Sequence, residues 1–167
     1  KPDLARVKAV ADWRDEIVKP IAAEKSPRML GKPNSPVQVV VFGDYQEENT
    51  QKVDKMLRAW LTGPGGLAKS DAETKAFQYT FKHFPGDKSC NDKLYKTFFE
   101  FGCMTAKAAE AAGLVGGEEG FWKMHNWLIH NPKPMGLDAI KKGARAVGLD
   151  GDAVVASMNQ AAVTAAI

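Results

Sequence analysis

The sequence predicts an α/β protein built around a parallel pair of strands. A β-branched run at residues 37–42 is bounded by Pro36 and Gly43, and a second strand pattern follows at residues 76–84. An amphipathic helix pattern lies between them, and strand, helix, strand at this spacing indicates a right-handed βαβ unit. The first run shows little alternation, so we expect that strand to be buried on both faces.

Length and composition fit one globular domain. The chain has 167 residues, of which 44% are hydrophobic and 26% charged, which excludes disorder throughout the chain. A core of this size needs no cofactor to hold it together, and we expect none. The net charge of +3, from 23 basic and 20 acidic residues, is too balanced to indicate a nucleic-acid partner. The apolar runs are too short for a membrane span.

The remaining elements are predicted to be helical. Residues 1–24 have helical periodicity, and Pro27, Pro33 and Pro36 mark an extended linker after them. The helix at residues 50–61 has one apolar stripe, formed by Val53, Met56, Leu57, Trp60 and Leu61. After Pro85, four further helices are expected at residues 93–112, 121–129, 137–147 and 153–162.

The two cysteines, Cys90 and Cys103, match no cysteine motif by spacing. Twelve residues separate them, unlike the C-x-x-C of a redox pair or the ligands of a zinc site. Two interpretations stay open from the residues alone. The cysteines are either buried free thiols or one structural disulfide, which would place the protein outside the cytosol.

Several short motifs, in order, resemble the DsbA-like thiol–disulfide oxidoreductases of the thioredoxin fold. They are LGKPNSPV at residues 30–37, FGDYQ at 42–46, KHFP at 82–85, SCN at 89–91 with GC at 102–103, and FWKMHNWL at 121–128. The resemblance implies a thioredoxin-like core at residues 30–167 with a helical insertion at about 88–147, preceded by a helix and linker at 1–29. It also implies a Cys90–Cys103 disulfide and a periplasmic or otherwise extracytoplasmic location.

The chain departs from this family at the redox motif. Where the family has Cys-Pro-x-Cys, this sequence has Glu47, Glu48, Asn49 and Thr50. A carboxylate cannot attack a disulfide, but it suits a helix N-terminus electrostatically. We therefore expect no catalytic residue here, and a redox-inactive module that binds protein or serves as a subunit of a larger assembly. The alternative is a thiol–disulfide oxidoreductase that uses Cys90 and Cys103.

The family's cis-proline turn, hairpin and last helix would have to follow Ile167. Without them one edge of the first strand is open. We expect a continuation of the chain, or a strand or helix from a protein partner, to cover that edge. The candidate partner-binding residues are Val39, Val41, Trp122 and Trp127.

Two less favoured interpretations concern polar residues near the degenerate motif. Asp44 and the acidic residues after it could hold Ca²⁺ or Mg²⁺, but a solvated helix cap is favoured, so no metal is expected. His83, at the end of the second strand, could act as an acid or base. A hydrogen-bonded histidine at the edge of the surface is favoured over that role.

Overall fold

The computed structural model describes residues 28–31, 35–62, 78–132 and 136–167. Its elements, in order, are β1 (Met29–Leu30), β2 (Gln38–Gly43), α1 (Glu48–Thr62), β3 (Gln78–His83), α2 (Gly102–His130), α3 (Leu137–Ala146), α4 (Gly151–Ser157) and α5 (Ala161–Ala165). The predicted helix at residues 1–24 lies outside the described residues. The division of the chain near residue 29 stays a prediction.

The described sheet has three strands in the order β1-β3-β2. β2 and β3 are parallel, with Val39 opposite Tyr79 and Val41 opposite Phe81, which confirms the predicted βαβ unit. β1 pairs with β3 in the antiparallel sense. Sequence patterning missed β1 because it has two residues and falls in a segment rich in glycine and proline.

Both helices next to the sheet pack on the same face of it. Tyr79, Phe81 and His83 point to one side of β3, since side chains alternate along a strand. Tyr79 bonds to Asp54 of α1 and His83 bonds to Glu110 of α2. The face that these three residues share is therefore the one that the helices cover.

β2 is an edge strand among the described residues, and the prediction that it is buried on both faces was wrong. Among the described residues, β2 pairs only with β3. Val37 beside it is 53% exposed and Phe42 is 51% exposed. A run of β-branched residues cannot distinguish a central strand from an edge strand that lacks a neighbour.

The helix α1 buries a different face from the predicted stripe. Leu57 and Leu61 are buried as expected, together with the polar Thr50 and Asp54. The other three predicted positions are exposed, and they are Val53, Met56 and Trp60. The buried face of α1 therefore includes only the Leu57 and Leu61 side of the predicted stripe. The apolar side chains on the other side of the stripe are exposed.

The helical region begins later than predicted. Residues 88–101 form turns, in which Phe98 N and Phe99 N both donate to Gly86 O. α2 then runs through two predicted helices and is broken at Gly117, whose φ of 65° suits glycine. The predicted α3 is confirmed, whereas residues 153–162 fall in two short helices, α4 and α5.

Small side chains let the other elements approach α2 closely. The alanines at positions 106, 108, 109, 111 and 112 are at most 2% exposed. Phe121, Met124 and Leu128, further along α2, are fully buried. No helix in the described part of the chain is long and apolar enough to cross a bilayer.

Candidate functional site

The turn between β2 and α1, where the resemblance locates the redox motif, is held by Asp44. Its Oδ1 accepts a hydrogen bond from Gln46 N and its Oδ2 accepts one from Gly86 N, each at 2.7 Å. Gly102 passes so close that a Cβ there would collide with Asp44 Oδ2. Burial raises the pKa of Asp44, and these backbone hydrogen bonds only partly oppose it. Asp44 therefore joins the turn to the segment that follows β3.

Glu47 caps the N-terminus of α1. Its Oε1 accepts from Asn49 N at 3.0 Å and its Oε2 accepts from Thr50 N at 2.5 Å. Partial burial acts to raise the pKa of Glu47, but these hydrogen bonds outweigh it and the pKa is lowered. Thr50 is buried, and its Oγ1 accepts from Asp44 N at 3.3 Å. Glu48 is exposed and pairs with Lys52. The hydrogen bonds of Glu47 therefore cap the start of α1.

Cys90 and Cys103 form a disulfide, so the predicted bond is confirmed. Cys103 is the second residue of α2 and is 6% exposed, whereas Cys90 is partly exposed in the turns before the helix. Asp87 Oδ2 accepts from Cys103 N at 3.4 Å. Phe101 N, just before α2, donates to Gln46 Oε1 at 2.8 Å. The disulfide thus closes a loop that packs against the capped turn.

A fully buried polar network connects α1, α2 and the sheet. His125 Nδ1 lies 2.9 Å from Tyr45 Oη, and His125 Nε2 lies 2.8 Å from Asp54 Oδ1. Tyr79 Oη also donates to Asp54 Oδ1, at 2.8 Å. All four side chains are at most 1% exposed. The arrangement resembles a proton relay, but solvent cannot reach it and burial holds the pKa of Tyr45 well above its usual value.

A second buried network connects β3 and α2 to the segment beside β1. His83 Nε2 lies 2.9 Å from Glu110 Oε1, and Arg28 Nη2 donates to Glu110 Oε2 at 2.5 Å. The Arg28 guanidinium also lies 4.3 Å from the centre of the Phe121 ring. Burial acts to raise the pKa of Glu110, but the hydrogen bonds from His83 and Arg28 lower it. The side chain of His83 is only 3% exposed, so it is not the surface-edge histidine we expected.

The four partner-binding candidates lie mainly against the core. Val39, Val41, Trp122 and Trp127 are partly buried and pack against the core cluster. The Trp122 ring lies 5.0 Å from the ring of His125, and Gly143 leaves room for the Trp127 ring. At β2 the exposed side chains are their neighbours Val37, Gln38 and Phe42.

The metal alternative has no supporting geometry in the described residues. Within them, no group of three or more His, Cys, Asp or Glu side chains could hold an ion. Both carboxylate oxygens of Asp44 and of Glu47 accept backbone N–H groups. These carboxylates act as caps and braces for the backbone.

Comparison with known proteins agrees with the geometry of the fold. No protein-family model and no curated protein sequence matches the chain. A solved structure does match it, that of the thiol-disulfide exchange protein alpha-DsbA2 from Wolbachia pipientis. The match covers 93% of this chain and 70% of that one, with a TM-score of 0.63 and 17% sequence identity. The chain therefore has a DsbA-like thioredoxin fold with a helical insertion.

Proposed function

We propose that this protein is a redox-inactive module of the DsbA-like thioredoxin fold that acts by binding protein, either alone or as a subunit of a larger extracytoplasmic assembly. One observation carries the proposal. The first turn of α1 presents the Glu47 carboxylate and the buried Thr50 hydroxyl, both engaged with the backbone. A thiolate at such a helix start is the group that attacks a disulfide, and neither residue can replace it.

The proposed location is supported by the disulfide between Cys90 and Cys103. Structural disulfides persist in oxidising compartments and are rare in the cytosol. The likeness to alpha-DsbA2 supports the same proposal at the level of fold. Fold alone does not fix function, so the argument against redox chemistry comes from the residues at the α1 start.

A second candidate function is thiol–disulfide exchange through Cys90 and Cys103. It is favoured by one observation, that Cys103 lies in the first turn of α2 while Cys90 is partly exposed. The contacts around Cys103 favour a structural role instead. The Asp87 carboxylate accepts from Cys103 N, and a negative charge so close would disfavour a Cys103 thiolate. Cys103 itself is also buried.

Alkylation rates of the two cysteines separate the candidates. In Cys103→Ser and Cys90→Ser variants the remaining thiol reacts with iodoacetamide, once in the folded chain and once in the same chain unfolded in urea. A redox thiol is activated by its fold, whereas a structural one is shielded. We expect both thiols to react more slowly when folded. Faster reaction of either thiol in the folded chain would contradict the proposal and favour the second candidate.

A further inference from the structure

Asp87 contacts both cysteines of the disulfide. Its carbonyl oxygen accepts a hydrogen bond from Cys90 N, and its Oδ2 accepts one from Cys103 N, each at 3.4 Å. The same carbonyl oxygen lies 3.4 Å from Cys103 Sγ, and Oδ1 accepts from the N–H of Ser89, next to Cys90, at 2.9 Å. Asp87 is only 8% exposed. A buried carboxylate is therefore held beside the two bonded cysteines.

This carboxylate caps the start of α2. The N-cap residue, Phe101, makes no side-chain hydrogen bond to the helix, and Asp87 supplies one by accepting from Cys103 N in the first turn. A helix N-terminus ordinarily favours a thiolate, because its N–H groups and its dipole stabilise negative charge. Since the Asp87 carboxylate already lies at that position, a negative charge on Cys103 would meet a like charge.

A second carboxylate lies at the same helix start. Gly102 is so close to two acidic side chains that a Cβ there would collide with Asp44 Oδ2 and contact Asp87 Cβ. The two carboxylates also act on each other, since burial is the main cause of the raised pKa of Asp44 and the charge of Asp87 adds to it. The Asp87 oxygens bond to neutral N–H groups rather than to cations. The surroundings of Cys103 are therefore negatively charged as well as buried.

These charges affect how the disulfide can be reduced. Cys90 is partly exposed and Cys103 is 6% exposed, so a small thiol reaches Cys90 Sγ. The reagent thiolate forms a mixed disulfide with Cys90, the Cys90–Cys103 bond breaks, and Cys103 leaves with the electron pair as a thiolate. A second reagent thiol then frees Cys90, and the reagent ends as its own disulfide. The first step is slower when the leaving thiolate is less stable.

We infer that Asp87 protects the Cys90–Cys103 disulfide from thiol exchange. The inference rests on the proposed function and deepens it, because it names the residue that keeps this bond structural. Attack at Cys90 places a negative charge on Cys103, and the Asp87 carboxylate makes that charge unfavourable. Removing the carboxylate charge should therefore turn a structural disulfide into an exchangeable one.

The rate at which excess dithiothreitol reduces the oxidised 167-residue chain tests the inference. Asp87→Asn keeps the size of the side chain and one acceptor but removes the charge, and it should be reduced at least about tenfold faster than the wild type. Asp87→Glu changes the shape but keeps the charge, and it should stay close to the wild-type rate. The control Asp92→Asn removes an exposed acid of the same loop, which pairs with Lys93, and should also leave the rate unchanged.

Two further measurements keep the test decisive if Asp87→Asn does not fold. Asp87→Ser is a second neutral variant whose side chain also caps helices, and it should show the same acceleration. In the Cys90→Ser chain, the ultraviolet absorbance of the Cys103 thiolate can be compared between the folded chain and the chain unfolded in urea, at a pH of about 8.5. We expect less thiolate in the folded chain, and more of it there when Asp87 is also replaced by a neutral residue.

Equal acceleration in Asp87→Asn and Asp87→Glu would show that the shape of the side chain matters and its charge does not, which would overturn the inference. An unchanged rate in the folded neutral variants would overturn it too, as would more Cys103 thiolate in the folded than in the unfolded Cys90→Ser chain. A disulfide that stays inert without Asp87 leaves the proposed function standing. The proposed function fails instead if the wild-type chain accelerates insulin reduction, whatever the Asp87 variants do.

Discussion

At the scale of single residues, Glu47 caps α1 at the position where the resemblance locates the redox motif. Its carboxylate accepts the Asn49 and Thr50 N–H groups at the open end of α1. A negative charge is favourable at a helix N-terminus, whether it belongs to a thiolate or to a carboxylate. Glu47 thus supplies a negative charge at the start of α1 without supplying a sulfur nucleophile there.

Replacing Glu47 by alanine should cost stability. The Glu47→Ala variant leaves two backbone N–H groups without their side-chain acceptor, and loss of an N-cap typically costs about 1 kcal/mol. Urea unfolding followed by circular dichroism would measure it. The matched control is Glu48→Ala, which removes only an exposed pair with Lys52 and should cost less than about 0.5 kcal/mol. Equal losses in the two variants would contradict the capping role.

The cap was predictable from the sequence because it is local, whereas the buried network was not. Two glutamates before a helix pattern indicate a capped N-terminus. Asp54 contacts His125, which lies 71 positions later in the chain. No local sequence pattern indicates a contact between residues so far apart in the sequence. One signal was present, since Leu57 and Leu61 follow Asp54 at helical spacing and so place it on the apolar face of α1. A carboxylate there needs a buried partner.

At the scale of elements, α1 and α2 are joined by polar contacts inside an apolar core. His125 is fully buried, which lowers its pKa, although the adjacent Asp54 carboxylate partly opposes this. Asp54 has a lowered pKa despite its burial, because His125, Arg58 and Tyr79 all favour its charged form. The network therefore holds a neutral imidazole that donates to a carboxylate and accepts from Tyr45. That arrangement satisfies both ring nitrogens.

Acid should weaken this helix pair first through His125. Its folded pKa lies below the unfolded value of about 6.5, so the unfolded chain binds the proton more readily. Stability should therefore fall as the pH drops below about 6.5 toward the folded pKa. Nearer pH 4 the lowered pKa values of Asp54, Glu47 and Glu110 add to the loss, and the raised pKa of Asp44 opposes it.

Unfolding free energies measured by urea titration between pH 7.5 and 5 would test this. The His125→Gln variant keeps one donor and one acceptor but does not titrate, so it should lose the slope between those pH values while it is less stable at pH 7.5. A His130→Gln variant, at an exposed position of the same helix, is the control and should keep the slope. A wild-type slope that survives in His125→Gln would contradict the assignment.

Element boundaries were predictable where one pattern decides them. α3 begins at Leu137 as the periodicity indicates, whereas the helix predicted from residue 93 begins at Gly102. Residues 88–101 are apolar enough for a helix, but backbone bonds to Gly86 O and the disulfide at Cys90 hold them in turns. These constraints come from tertiary structure, which periodicity does not record.

At the scale of the whole molecule, the disulfide fastens the loop that packs against the α1 start. The Cys90–Cys103 bond closes a loop of 13 positions. Removing it in the Cys90→Ser, Cys103→Ser double variant should destabilise the protein by about 3 kcal/mol, because the bond restricts the conformational entropy of the unfolded chain. Urea unfolding would measure this. A loss below about 0.5 kcal/mol would show that the bond is not a structural one.

Mass spectrometry shows directly whether Cys90 and Cys103 are oxidised to a disulfide. Native protein purified without reductant should be about 2 Da lighter than the reduced chain, the mass of the two hydrogens lost when the bond forms. Mass spectrometry after alkylation of the native protein should find neither cysteine modified. Two readily alkylated thiols would contradict both the bond and the proposed extracytoplasmic location.

An assay of insulin reduction is the most direct test of whether this protein with a DsbA-like fold lacks thiol–disulfide oxidoreductase activity. Insulin reduction by dithiothreitol would be followed with the wild-type chain and with the Cys90→Ser, Cys103→Ser double variant as the thiol-free control. Since the α1 start carries Glu47 and Thr50, we predict the same rate for both proteins, equal to that of dithiothreitol alone. Faster reduction by the wild-type chain that disappears in the double variant would contradict a redox-inactive module.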